Sequence, residues 1–159
     1  WTRMTILSMA FNLPDVDVVT KRLLRNPDDF EKALEPFYGQ RIAAEFARLL
    51  REHLVIAAEL VAAAKAGDAQ KVADAERRWY ANADQIAKFL ASINPHWLYE
   101  EWRTMLFEHL ALTKKEAVDI LTKNYADGIA VYDEIERQAL MMADVMTMGI
   151  VRQFPQRFF

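Results

Sequence analysis

Residues 41–68 read RIAAEFARLLREHLVIAAELVAAAKAGD. Apolar side chains recur in this stretch at spacings of three and four residues from Ile42 to Ala64, which places them on one face of an α-helix. Gly67 suits the left-handed conformation that ends many helices, and Asp68 suits the N-cap of the next helix. The stretch therefore predicts a long amphipathic helix that turns at Gly67-Asp68 into a second one.

The remainder of the chain continues the same plan. The second amphipathic helix is expected to end at Asn94-Pro95, because proline cannot continue a helix. A third helix is expected to begin near His96, and a fourth to end before Pro155. We predict that Asp127-Gly128 is the turn between these two, since it divides the region into helices of matched length, as an up-and-down bundle requires.

A second division of residues 96–155 into helices is also compatible with the sequence. In it, Thr113 and Glu116 form a capping box that starts a new helix after Leu112. The two divisions differ in whether the third helix ends before residue 113 or continues to Gly128.

The composition predicts one all-α domain. A chain of 159 residues with four Gly, five Pro and 53% hydrophobic residues has too few turn-forming residues for an all-β fold and too many core-forming residues for disorder. We expect an antiparallel, up-and-down four-helix bundle over residues 1–159, with flanking helices in 1–37 and two hairpins in 38–95 and 96–155. Because the chain opens on Trp1 inside an apolar helix, we also expect residues upstream.

Charge and cysteine content exclude several kinds of partner. The chain has a net charge of −3 and no cluster of basic residues. Neither nucleic acid nor an anionic membrane surface is therefore expected as a partner. The chain has no cysteine, which rules out disulfides and thiolate metal sites and fits the cytoplasm. A homo-oligomer is compatible with this composition. No phosphate-binding glycine loop or nucleophile elbow is present, and no reaction is assigned.

The two predicted hairpins resemble each other. A shift of 60 residues aligns the second helix with the fourth and places the Asp68 turn on Gly128, whereas a shift of 56 aligns the first helix with the third and places His53 on His109. The four-residue difference corresponds to one extra helical turn. These alignments predict two copies of one hairpin.

One histidine and one aspartate in each hairpin form a candidate metal site. His53 and Asp84 are expected at one level of the first hairpin, and His109 and Asp144 at one level of the second. Asp144 is expected to be buried and bonded to His109, to Arg3 or to a metal. Two imidazoles whose ring nitrogens lie within about 5 Å, with two carboxylates, would suit iron, manganese or zinc.

Two observations limit this hypothesis. Each His–Asp pair could be a satisfied polar contact without a metal, and Asp84 lies about 140° from the apolar stripe of its helix and could face elsewhere. The Glu-x-x-His spacing of ferritin-type di-iron bundles is absent, because residues 50 and 106 are leucines. The alternative to a metal-binding bundle is therefore a non-catalytic structural or interaction module with buried His–Asp contacts.

The chain resembles a family of small bacterial all-helical proteins, some of whose members carry the label acetylglutamate kinase. The resemblance rests on Trp1-Thr2-Arg3, Glu52-His53-Leu54, Trp79-Tyr80-Ala81-Asn82-Ala83-Asp84, Glu108-His109-Leu110 and Gln153-Phe154-Pro155. The glycine-rich elements of such a kinase are missing, so the label implies no activity here. More distantly, the repeated hairpin is similar to ferritin-like bundles, and this likeness implies His53, His109, Asp84 and Asp144 as the residues that could bind metal.

Overall fold

The computed structural model describes all residues from 1 to 159, and it is all-helical, as predicted. No helix is both long enough and apolar enough to cross a membrane. Seven α-helices and a terminal 3₁₀ turn follow one another: α1 Thr2–Ala10, α2 Val16–Leu23, α3 Asn26–Tyr38, α4 Gln40–Ala66, α5 Ala69–Ile93, α6 Tyr99–Leu121, α7 Tyr125–Gln153 and the turn Pro155–Arg157.

The first predicted hairpin is confirmed as α4 and α5. Gly67 has a φ of 71° at the end of α4, and the Asp68 carboxylate accepts a hydrogen bond from the backbone N–H of Lys71. Glycine takes this left-handed conformation without a steric penalty, and the aspartate satisfies one of the free N–H groups at the start of α5. The helix ends at Asn94-Pro95, as expected.

The predicted second turn at Asp127-Gly128 is wrong. The helices α6 and α7 are joined by residues 122–124, and Lys123 takes the left-handed φ of 63°. Gly128 lies within α7 and is buried. A Cβ added at this position would lie 3.4 Å from the Cβ atom of Asp119 in α6. A glycine that is buried against the neighbouring helix is therefore mistaken for a chain reversal when turns are predicted from glycine alone.

The alternative division at Thr113 is wrong as well. The helix α6 is unbroken from Tyr99 to Leu121. Inside it, the Thr113 hydroxyl donates to the carbonyl of His109, and Glu116 pairs with Arg3 instead of capping a helix start.

The four long helices pack in chain order. Within the hairpins α4 packs along α5 and α6 along α7, and α5 packs along α6 to join them. The helix α3 lies along α4, while α1 lies across both α4 and α6. The main core contains 17 buried hydrophobic residues drawn mostly from α4, α5 and α6. As a result, the midpoints of α4 and α6 lie in the interior.

Candidate functional site

His53 is held at the middle of α4 by an amide from α5. Its side chain is 7% exposed, and Nδ1 lies 2.7 Å from Oδ1 of Asn82. The Nδ2 group of Asn82 donates to the carbonyl of Leu49 at 3.2 Å. Because that bond turns the amide oxygen toward the ring, Nδ1 must carry the proton. The Nε2 atom of His53 therefore keeps its lone pair.

His109 has the same arrangement in the second hairpin. Its Nδ1 lies 2.8 Å from Oε1 of Gln138, whose Nε2 donates to the carbonyl of Met105 at 2.7 Å. The ring is half-buried on α6. By the same reasoning, His109 carries its proton on Nδ1 and has a free lone pair on Nε2.

These two sets of contacts show that the repeat has a single spacing of 56 residues. In each hairpin the amide follows its histidine by 29 residues and bonds a carbonyl 33 residues before itself. The turns agree, because Gly67 and Asp68 make the same backbone bonds to Ala64 and Ala63 that residues 123 and 124 make to residues 120 and 119. The predicted shift of 60 for the second helices is therefore wrong.

Burial keeps both imidazoles neutral near pH 7. It lowers the pKa of His53 to about 4, against the opposing effect of the hydrogen bond with Asn82. The charge of His109 lowers the pKa of His53 by a smaller amount. Burial also lowers the pKa of His109. A neutral imidazole is the form that binds a metal.

Asp84 does not bond His53. Its Oδ1 accepts a hydrogen bond from the Tyr99 hydroxyl at 2.6 Å, and its Oδ2 lies 2.7 Å from the Lys88 ammonium. Hydrogen bonding by Lys88, and then by Tyr99, lowers the pKa of this carboxyl. Asp84 therefore lies at the boundary of α5 and α6, turned away from His53 as its position on the helix had suggested.

The prediction that Asp144 is buried and bonded is wrong. Asp144 is exposed. It follows Gln138 by six residues, and at 100° per residue this places it about 120° around α7 from the side chain that reaches His109. Arg3 also differs from expectation, because it pairs with the buried Glu116 of α6.

The residues that sequence reasoning missed are Asn82 and Gln138. Both are buried, at 2% and 6% exposure. The signal was present, since continuing the shift of 56 beyond the turn aligns one amide with the other. No group of three or more His, Asp or Glu side chains in the structure could hold a metal ion. A metal here would therefore have two protein ligands, with water or a small molecule in the remaining positions.

Comparisons of the chain with protein-family models, with curated proteins and with solved structures find no match. The function is therefore inferred from the two histidines and from the groups around them.

Proposed function

We propose that this protein binds one divalent transition-metal ion between His53 and His109, within a ferritin-like helical bundle. Each ring offers Nε2, and each is fixed by an amide that is itself anchored to a backbone carbonyl. A hydrogen bond to the far nitrogen of a metal-binding histidine commonly fixes its tautomer and orientation. The occurrence of this arrangement in both hairpins is the observation that carries the proposal.

The donor set favours particular metals. Imidazole nitrogen suits zinc and iron, whereas manganese prefers oxygen ligands. Asp84 is engaged by Tyr99 and Lys88, and Asp144 is exposed, so neither supports a carboxylate-rich site. Two nitrogen ligands leave coordination positions free, which is characteristic of metal sites that bind an exogenous ligand.

Zinc titration of untagged protein tests this proposal. Isothermal titration calorimetry at neutral pH should show one zinc ion per chain, and the site should be lost in H53A and in H109A. The matched control is H96A, because His96 is an exposed histidine outside the bundle interior. Retention of the wild-type zinc affinity in the H53A/H109A double variant would overturn the proposal.

The second candidate is a structural or interaction module without a metal. This candidate is favoured because both histidine–amide contacts are made without a metal. They already link α4 to α5 and α6 to α7. Thermal unfolding with and without zinc separates the candidates, because a ligand stabilises only the state that binds it. A structural role predicts that H53A loses the same stability in both conditions.

A further inference from the structure

The helix α7 presents an exposed apolar stripe. One side of the helix packs along α6, and the buried residues Val131 and Gln138 lie on that side. Further around the helix, exposed apolar side chains recur at the spacing of helical turns, and Ile129 and Leu140 among them are 52% and 60% exposed. We call this set the α7 stripe, and its members are Tyr125, Ile129, Tyr132, Leu140 and Ala143.

The helix α1 reaches only one edge of the α7 stripe. The ring centroid of Phe11 lies 6.4 Å from that of Tyr125, and the guanidinium carbon of Arg3 lies 5.2 Å from the ring centroid of Tyr132. Both tyrosines nevertheless stay exposed, at 49% and 38%. A row of exposed apolar side chains commonly marks an interaction surface, so the stripe is open to a partner.

The charges beside the α7 stripe are complementary to themselves. Arg137 and Asp144 are seven residues apart, so they lie two turns apart on one flank of the stripe, about 90° from its centre. Neither takes part in an ion pair within the chain. When two antiparallel α7 helices are related by a two-fold axis near Leu140, the same flanks face each other. Arg137 of each copy then lies beside Asp144 of the other.

The two polar residues that interrupt the stripe fit the same axis. Glu136 and Thr147 are exposed and lie on either side of a midpoint that is one residue from the midpoint of Arg137 and Asp144. One residue corresponds to ~1.5 Å along a helix, so the Thr147 hydroxyl of one copy can donate to the Glu136 carboxylate of the other in the same register. Parallel pairing would instead place each Glu136 beside its own counterpart, and like charges repel.

We propose that α7 pairs with α7 of a second copy of this chain, in an antiparallel homodimer along the α7 stripe. Leu140 lies at the two-fold axis, and the contact between Arg137 and Asp144 occurs twice. Gln138, which holds His109, lies about 160° around the helix from the stripe. The homodimer is therefore independent of the proposed metal site and can be tested in metal-free protein.

Analytical ultracentrifugation over a concentration series tests the homodimer. The wild-type protein should dimerise reversibly, and R137D and D144R should each weaken the dimer by about tenfold or more, because two attractive contacts become two repulsive ones. The matched control is E134R, at an exposed position of α7 about 160° from the stripe, which should dimerise like the wild type. A wild-type protein that stays monomeric, or a dimer that neither R137D nor D144R weakens, would overturn the proposal.

Mixing the two charge variants tests the antiparallel register. In a mixed dimer, Asp144 of the R137D copy faces Arg137 of the D144R copy, and the two introduced residues face each other with opposite charges. The mixture, and the double variant R137D/D144R alone, should therefore recover the wild-type affinity. L140K should abolish dimerisation, because it places two like charges at the two-fold axis. Circular dichroism should show all these variants folded, since the replaced residues are exposed. Failure of the mixture and of the double variant to dimerise would overturn the antiparallel pairing.

Discussion

The Oδ1 atom of Asn82 lies 2.7 Å from Nδ1 of His53. The same amide donates to the backbone carbonyl of Leu49, one turn before that histidine on α4. The ring is thereby fixed both in orientation and in tautomer, because the amide can present only its oxygen to Nδ1. Gln138 does the same for His109 with one more methylene group, so α7 reaches α6 with the longer of the two amides.

Replacing Asn82 with leucine tests this relationship. We expect N82L to lower the free energy of unfolding by about 1–3 kcal/mol, because the buried Nδ1–H loses its acceptor. It should also lower zinc affinity by about 10- to 100-fold, as loss of a partner to a metal-binding histidine commonly does. Urea unfolding and zinc titration measure the two effects.

Imidazole ¹⁵N chemical shifts give a readout of N82L that a general loss of packing does not change. They should move from the pure Nδ1–H tautomer to a mixture of tautomers at His53 alone. The control is Q85L, one turn further along α5 at an exposed position, which should change none of these quantities. An unchanged His53 tautomer in N82L would contradict the account.

The apolar spacing of three and four residues was sufficient to predict the long helices, because side-chain burial follows that spacing closely. The end of α6 was missed because Lys123 takes the left-handed conformation without being glycine, while Gly128 suggested a turn where α7 only approaches α6 closely. A glycine at a turn and a glycine buried against a neighbouring helix cannot be told apart in the sequence. Only the position of the neighbouring helix distinguishes them.

The low pKa of His53 predicts acid destabilisation in a defined range. Unfolded His53 takes up a proton near pH 6.5, whereas the folded state does so only near pH 4. Between these values the unfolded state binds more protons, so the free energy of unfolding falls as the pH falls, by ~3 kcal/mol in total from this residue. The lowered pKa of His109 acts in the same direction.

Urea unfolding at pH 7 and pH 4.5 measures this dependence. H53Q should reduce the difference in unfolding free energy between the two pH values, since glutamine is neutral at both. H96Q should leave the difference as in the wild type, because His96 is exposed. If H53Q and wild type lose the same stability on acidification, burial of His53 does not control its protonation.

Replacement of two glycines of α7 with alanine should change the free energy of unfolding in different ways. A Cβ at Gly149 would lie 1.9 Å from Nε1 of the buried Trp97, whereas a Cβ at Gly128 meets only Asp119 Cβ at 3.4 Å. G149A should therefore lower the unfolding free energy by about 1–3 kcal/mol through overpacking. G128A should leave it unchanged or raise it by up to about 1 kcal/mol through helix propensity. Thermal denaturation compares them, and equal effects would contradict this packing of α7.

The contact between Arg3 and Glu116 predicts that replacing one partner lowers the free energy of unfolding more than replacing the other. Glu116 is 2% exposed and occupies the position that Leu60 holds in the first hairpin. R3M should lower the unfolding free energy by about 3 kcal/mol, because it leaves a buried carboxylate unpaired. E116L should cost less, since Arg3 is partly exposed and can turn toward water.

A double-mutant cycle in urea measures this asymmetry. We expect R3M/E116L to be more stable than R3M alone, because replacing both partners of a buried ion pair is often neutral or stabilising. Strict additivity of the two single changes would show that the side chains do not interact.

The candidate site was predicted only in part. His53 and His109 were identified because they interrupt apolar stripes, and their interior position follows from that pattern. The prediction of Asp84 and Asp144 followed from their level beside a histidine in each hairpin, and for Asp144 also from the need of a carboxylate in an apolar stretch for a partner. The structure uses the amides of Asn82 and Gln138 instead, because a neutral group can be buried beside a neutral imidazole at a lower desolvation cost than a carboxylate.

X-ray absorption spectroscopy of the zinc-loaded protein tests the central claim most directly, because it counts the imidazole ligands of the bound ion. We expect two imidazoles per zinc at ~2.0–2.1 Å in the wild-type protein and in H96A, whereas H53A and H109A should retain no stoichiometric zinc. A spectrum with one imidazole or none in the wild-type protein would contradict a metal site shared by His53 and His109.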